Sequence, residues 1–569
     1  MLHQPDRLSA RPWPLLPAFA LALAVTLLAC SERRSQPHAT APDAATETTR
    51  KDDGPSFVSA LRQRVADPSS PQAVRRLYAE RSPLWLDVRS RPGPQAEAAL
   101  ALLRAAHTEG LDPAVYRADA LALQARQIAT ERPDDAVLAD FEFELSQAVL
   151  RYLRHLHAGR VQPKAVGFRV PARDEATDIA DVLRVALRQG RLADAVEALQ
   201  PKLAQYPLLR GELARYRSLA AQPALQEPLP GTDSVRPGDS YPALAALHAR
   251  LVAYGDLPPS AAVPAERYDG EIVEGVKRFQ ARHGLEADGV LGRSTQSALN
   301  VPPQQRVRQI ELAMERLRWL PELGRQPFIG INIPMYRLWA SDAASSGPVA
   351  AATMNVVVGK ALDTQTPVMM EEMRYLIFRP YWNVPRSIVL GEILPKLQQD
   401  PAYLDKQQME IVDGPGDDAK PVATTPKSLE ALTEGKLRLR QRPGTHNSLG
   451  LVKFIFPNDE AVYLHGTTAQ GLFDRIRRDF SHGCVRVEDP VALAQWVLKD
   501  QPEWTREKVV GAMQGQANSV RVDLKRPVQV LLFYVTAVVM PEDGRMHFAA
   551  DIYKHDARLE RALAQRAPG

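Results

Sequence analysis

The hydrophobic period of this chain changes once, near Pro327, and that change limits the architectures open to it. Upstream, apolar residues recur at helical spacing: Leu100, Leu103, Ala106 and His107 lie at i, i+3, i+6 and i+7, with Gly110 and Pro113 as stop signals. A second helical stretch runs from Phe141 to Leu156. Downstream, the runs Phe328 to Ile333, Met354 to Val358, Tyr375 to Phe378, Leu451 to Phe456, Ala461 to Leu464 and Val528 to Val538 are β-branched or aromatic and bounded by turn residues, as strands are. One all-α or all-β domain cannot satisfy both halves. The pattern predicts a multidomain α+β chain, and a length of 569 residues allows about three or four domains.

Composition narrows the function classes. An apolar content of 45% gives each domain enough residues for a core and argues against global disorder. Lys and Arg number 71 against 67 Asp and Glu, and the resulting charge of +4 offers no electrostatic case for a nucleic-acid partner. The two cysteines, Cys30 and Cys484, cannot build a disulfide scaffold or a four-cysteine zinc site. Much of the proline marks boundaries, most clearly between Ala220 and Ser240.

At the N-terminus, Arg7 and Arg11 precede an apolar run from Pro14 to Ala29 that is interrupted by Pro17. A membrane span needs about 20 apolar residues, so this shorter run fits the core of a signal peptide over residues 1–29. The chain is expected to be exported. Leu27-Leu28-Ala29-Cys30 resembles the bacterial lipoprotein signal, which implies lipidation of Cys30, a periplasmic location and a membrane tether; ordinary cleavage and an uncleaved anchor are the alternatives. Residues 30–55 are polar, rich in Ala, Thr and Pro, and read as a disordered tether.

The remaining segments read as a helical scaffold domain (56–220), a linker (221–240), a compact helical unit (241–301), a connecting helix (302–326), a β-rich domain (327–550) and a tail (551–569). Within the β-rich domain, residues 398–444 form a long, mostly polar stretch containing Gly414 to Asp418, expected to be a lid insertion. The tail is expected to be a short charged helix or disordered. In the compact unit, Ile272, Val276 and Phe279 lie at i, i+4 and i+7, Gly284 stands where a C-terminal cap belongs, and Asp288-Gly289 makes a turn before a short helix from Thr295 to Leu299. Val276 to Asn300 resembles the three-helix peptidoglycan-binding module of bacterial wall enzymes. That resemblance implies wall binding through residues 241–301, or a spacer role.

The stretch from Tyr463 to Val487 carries the chemistry. Cys484 stands in Ser481-His482-Gly483-Cys484, with His465 19 positions upstream. Acyl transfer needs a thiolate, a base to generate it and donors for the developing oxyanion. Cys484 supplies the nucleophile and His465 the base, and Gly483 lets the backbone approach so that the amides of Gly483 and Cys484 can form the oxyanion hole. A neighbouring imidazole is expected to lower the thiol pKa from about 8.5 toward neutrality. Tyr463, two positions before His465, faces the same side of a strand. Arg475, Arg477 and Arg478, interleaved with Asp474 and Asp479, read as a solvated helix face. His446, His465, His482 and Cys484 match no familiar zinc spacing, and a metal would occupy the thiolate, so neither metal nor cofactor is expected.

The same stretch resembles the catalytic motif of the L,D-transpeptidases. Val356-Val357-Val358-Gly359-Lys360, Thr366-Pro367, Trp382-Asn383-Val384-Pro385-Arg386-Ser387-Ile388, Pro443-Gly444 and Asn447-Ser448-Leu449-Gly450 look like the large, three-domain branch of that family. The resemblance implies a helical scaffold, a peptidoglycan-binding module and a catalytic domain with a lid loop. It further implies that Cys484 attacks a donor stem peptide at its diamino acid, expels D-Ala and passes the acyl group to an acceptor stem. Carried over to this chain, the Gly466 carbonyl orients His465, and Ser481 and His482 line the nucleophile loop. His482 has either a direct catalytic or a structural role. Arg486 holds a substrate carboxylate or makes a structural ion pair, and Trp382 lines the groove. Variants of the same chemistry are an L,D-carboxypeptidase, a cross-link hydrolase and a lipoprotein-attaching enzyme; a non-catalytic wall-anchoring lipoprotein is the alternative of a different class.

Overall fold

The computed structural model describes residues 56–565, apart from 81, 132, 172, 174–176, 232, 264–265, 324–325 and 343–349. The expected export signal, Cys30 and the tether lie outside the described residues. No described helix is long and apolar enough to cross a membrane.

The N-terminal part is helical and organised around the helix Asp135–Ala158. Leu138, Phe141, Leu145, Val149, Tyr152 and Leu156 are spaced three or four apart along it and are all buried, which is the apolar stripe a core-facing helix requires. Gly159 ends the helix at φ +79. Farther along, the helices Leu244–Tyr254, Glu271–Arg282 and Arg293–Leu299 make the compact unit. Buried Gln280 ties its turn: the amide donates to Asp288 Oδ1, the Val290 carbonyl and Thr295 Oγ1, and its oxygen accepts from the Gly289 N–H. The connecting helix Pro303–Trp319 leads to the β-rich part.

Among the described residues, fifteen strands follow. They are β1 (Phe328–Asn332), β2 (Arg337–Ser341), β3 (Ala352–Gly359), β4 (Met369–Phe378), β5 (Trp382–Asn383), β6 (Met409–Asp413), β7 (Lys420–Val422) and β8 (Arg438–Gln441). The remainder are β9 (Val452–Ile455), β10 (Leu464–His465), β11 (Asp479–Ser481), β12 (Val485–Val487), β13 (Val520–Phe533), β14 (Ala537–Val539) and β15 (Met546–Phe548). The main sheet has the order β11-β3-β12-β10-β9-β4-β13-β1-β2, and β3 also pairs with β2. That extra pairing closes the sheet on itself, so few edges stay open. β1 and β13 are parallel, as are β10 and β12.

Between β4 and β9 the chain builds a folded insertion with its own sheet and core, in the region where the polar stretch led us to expect a lid insertion. Its sheet has the order β5-β8-β6-β7, and its own core contains Val384, Val389, Ile393, Leu404, Met409, Ile411, Leu432 and Leu439. It begins at β5, earlier than the polar stretch suggested. Its surface is polar, yet Met409 and Ile411 alternate inward along β6 and Leu439 meets them from β8, which a count of polar residues does not register.

The C-terminal segment also folds. The helix His555–Gln565 buries Leu559 and Leu563 and is tied to the connecting helix by Arg316 to Asp556 (2.5 Å) and Arg308 to Glu560 (3.0 Å). Phe548 of β15 sits at a junction of three regions. It packs edge-on to Tyr216, stacks on His283 of the compact unit and lies under the Arg306 guanidinium at 4.6 Å. Arg282 pairs with buried Asp256 at 2.5 Å and donates to the Met546 carbonyl.

Candidate active site

Strand register assembles the site. β10 lies between β9 and β12, with Leu464 opposite Phe454 and Val485, and His465 opposite Lys453 and Arg486. Leu464, Phe454 and Val485 are fully buried toward the core. Because side chains alternate along a strand, Tyr463, His465, Lys453, Cys484 and Arg486 share the other face. Tyr463 and Cys484 meet where the two chains enter the ladder, and the Val485 N–H donates to the Tyr463 carbonyl at 3.1 Å. The Tyr463 and His465 rings lie 5.7 Å apart.

His465 is buried, and its Nδ1–H donates to the Gly466 carbonyl at 2.5 Å. That bond selects the tautomer with a free lone pair on Nε2. Burial, aided by the nearby Arg486 charge, holds the imidazole pKa down to about 3, against the pull of the Gly466 and Leu449 carbonyls. The ring is neutral, and its Nε2 can accept a proton.

Cys484 is part-buried and directs its thiol toward the Ala461 carbonyl at 3.7 Å. Burial pushes the thiol pKa up, while the Tyr463 amide and hydroxyl and the Arg486 charge draw it back. This differs from the lowered thiol expected from a neighbouring imidazole. The reason is that His465 is itself uncharged and so offers no field to hold a thiolate. No hydrogen bond joins Sγ to His465 in the resting arrangement. The imidazole stands two positions along the adjacent strand from the level of Cys484, and such pairs commonly tighten only when substrate binds.

Arg486 bears its guanidinium beside the thiol. Its Nε is buried without a hydrogen-bond partner, and no described carboxylate pairs with it. The nucleophile loop is braced from within: Ser481 Oγ donates to the Cys484 carbonyl at 2.5 Å and accepts from the Gly483 N–H at 3.2 Å. Gly483 adopts φ +110, a conformation L side chains rarely take. Since Ser481 occupies the Gly483 amide, only the Cys484 N–H of the expected donor pair is open.

Two of the expected residues make contacts with the insertion. His482 Nε2 lies 2.5 Å from Glu392 Oε1, so its ring bridges to the insertion instead of meeting Sγ. Trp382, half-buried on β5, packs against the core of the insertion. Arg477 chelates Asp479 from a loop after a short 3-10 turn (Gln470–Leu472) rather than from a helix. Among the described residues, no group of three or more His, Cys, Asp or Glu side chains is placed to hold a metal ion. Sequence reasoning missed Lys453 as a neighbour of His465 and Glu392 as the partner of His482. Both come from segments distant in sequence, where only register and packing reveal the contact.

Comparison with known proteins agrees with this layout. Residues 72–213 match the family described as a scaffold domain, residues 240–299 a "Putative peptidoglycan binding domain", and residues 326–529 the L,D-transpeptidase catalytic domain. The chain is 32% identical over 254 residues to a Haemophilus influenzae protein named "Putative L,D-transpeptidase". That match covers 44% of this chain and 49% of the relative, so it spans about half of the relative's length. The crystal structure of an L,D-transpeptidase from Xylanimonas cellulosilytica aligns over 54% of this chain and 100% of its own at 17% identity, with a TM-score of 0.16, too low to bear on the fold.

Proposed function

We propose that this chain, whose residues 326–529 match the L,D-transpeptidase catalytic domain, is a cysteine-dependent enzyme that cross-links peptidoglycan stem peptides through their third residues. The observation that carries this reading is the shared strand face on which a neutral His465, its Nδ1–H committed to Gly466, stands beside the Cys484 thiol and an unpaired Arg486.

In this reading His465 Nε2 takes the thiol proton as Cys484 Sγ bonds to the carbonyl carbon of the donor's diamino acid. The carbonyl electron pair moves to oxygen, and the Cys484 N–H donates a hydrogen bond to the oxyanion so formed. Collapse breaks the C–N bond, and His465 returns the proton to the departing D-Ala amine. The side-chain amine of an acceptor stem then attacks the thioester, gives up a proton to His465 and expels the sulfur, which recovers that proton. Arg486 suits a donor carboxylate because its planar fork binds two oxygens at once. Export, lipid attachment at Cys30, a periplasmic location and wall binding through residues 241–301 complete the proposal.

Incubation with disaccharide tetrapeptides tests it by product. The expected products are dimers that have lost one D-Ala per cross-link. Cys484→Ser and His465→Ala should each abolish them while leaving sedimentation with purified wall nearly intact. Release of D-Ala without dimers would reassign the enzyme as an L,D-carboxypeptidase, and a wild type inert in both respects would leave a wall-anchoring protein.

A further inference from the structure

The segment behind the nucleophile loop does more than close the sheet. Thr366 Oγ1 donates to the Gly483 carbonyl at 2.8 Å and accepts from the Gly359 N–H at 2.9 Å. The Thr366 N–H in turn donates to the Tyr553 hydroxyl at 3.2 Å, and that hydroxyl donates to the Gly359 carbonyl at 2.6 Å. Thr366 is fully buried and Tyr553 nearly so. Gly359 is required at the crossing, because a Cβ there would run into the Thr364 carbonyl.

The target of this chain of bonds is one peptide unit. The Gly483 carbonyl and the Cys484 N–H belong to the same planar, trans peptide, so they point in opposite directions. Holding the carbonyl inward on Thr366 therefore turns the Cys484 N–H outward, and that N–H has no acceptor among the described residues. Gly483, at φ +110 and without a side chain, offers little resistance to rotation of this peptide. Ser481 holds the peptides on either side, and Thr366 is the group that holds this carbonyl itself.

Tyr553 is anchored independently of the loop. Its N–H donates to the Tyr534 hydroxyl at 3.0 Å, and Tyr534 donates to Asp551 Oδ1 at 2.7 Å. Asp551 caps the C-terminal helix by accepting from the His555 and Asp556 amides.

We propose that Thr366 is a positioning residue that aims the Cys484 N–H at the oxyanion, and that the C-terminal segment, through Tyr553, holds Thr366 in place. This rests on the acyl-transfer reading of the site. The predicted signature is selectivity by reaction type. Acylation by a carbapenem passes through an oxyanion, whereas alkylation of the same thiol by iodoacetamide does not.

The test compares both rates at Cys484 in the full chain. For Thr366→Val, carbapenem acylation should fall about 10- to 100-fold, the scale of losing one oxyanion donor, with alkylation within about 3-fold of wild type. Thr366→Ser, which keeps the hydroxyl, should recover acylation to within about 3-fold, and Tyr553→Phe should fall between the two. Equal loss of both rates in Thr366→Val, unchanged acylation in that variant, or no recovery in Thr366→Ser overturns the positioning role while the enzyme reading stands. A wild type that is alkylated but never acylated overturns the reading of the site, and this inference with it.

Discussion

At Cys484 burial raises the thiol pKa while Tyr463 and Arg486 oppose it, and burial wins. With His465 held neutral by its own burial, the resting pair is thiol and imidazole, and the proton moves only during reaction. The pH dependence follows directly. Below its pKa a thiol gains about tenfold in thiolate per pH unit. The iodoacetamide rate at Cys484 should therefore climb from about pH 6 to about pH 8 without levelling, and a plateau below about pH 7 would reveal a preformed thiolate–imidazolium pair instead. The residues on this face were legible in sequence because the spacing of Tyr463 and His465 and the Ser-His-Gly-Cys motif are local. The thiol's direction of shift was not, since it depends on what covers the site. Nor was the pairing of His482 with Glu392, or the reach of Tyr553 to Gly359, which joins segments far apart in the chain.

Among the elements, β1, β3, β4 and β9 were readable from β-branched or aromatic runs; β1 and β3 are buried over most of their length, and β4 and β9 alternate buried with more open positions. β11 and β12 are only three residues long, too short for any period to register, and β10, expected over Ala461 to Leu464, is confined to Leu464–His465, although these strands carry the site. The strands within the insertion were not legible because its core residues are few and widely spaced. Its independence makes a prediction. Ile411 is fully buried in a core separate from that of the barrel, so Ile411→Ala should cost about 2–5 kcal/mol locally. Hydrogen exchange should show that loss in β6 and β8, with β9 and β12 nearly unchanged. Loss spread evenly into the barrel would mean that insertion and barrel unfold as one unit.

Over the whole molecule, the compact unit, the helical scaffold and the β-rich part share buried contacts, with Phe548 and the Arg282–Asp256 pair at the junction. Four histidines are held neutral by burial: His155 and His465 with pKa near about 3, His555 near about 4, and His283 well below its usual value. Each is depressed on folding, so the unfolded chain binds protons that the folded one refuses. Stability should fall as pH drops from about 6.5 toward those values, by about 1.4 kcal/mol per pH unit for each histidine. Glu142, pushed up to about 7 by burial, and Glu371, also raised by burial, act in the opposite sense, two carboxyls against the four histidines. The urea midpoint should accordingly be lower at about pH 5 than at about pH 7; an equal or higher midpoint at the acid value would show that these imidazoles are not neutral in the fold. The division into a helical half and a β-rich half was visible in the change of period near Pro327, but the junction was not, because its contacts join residues hundreds of positions apart. The central claim, that Cys484 is the acylated nucleophile, is tested most directly by intact-protein mass spectrometry after exposure to a carbapenem. The account predicts one covalent adduct, located on the Cys484 peptide and lost in Cys484→Ser. An adduct that persists in Cys484→Ser would contradict it.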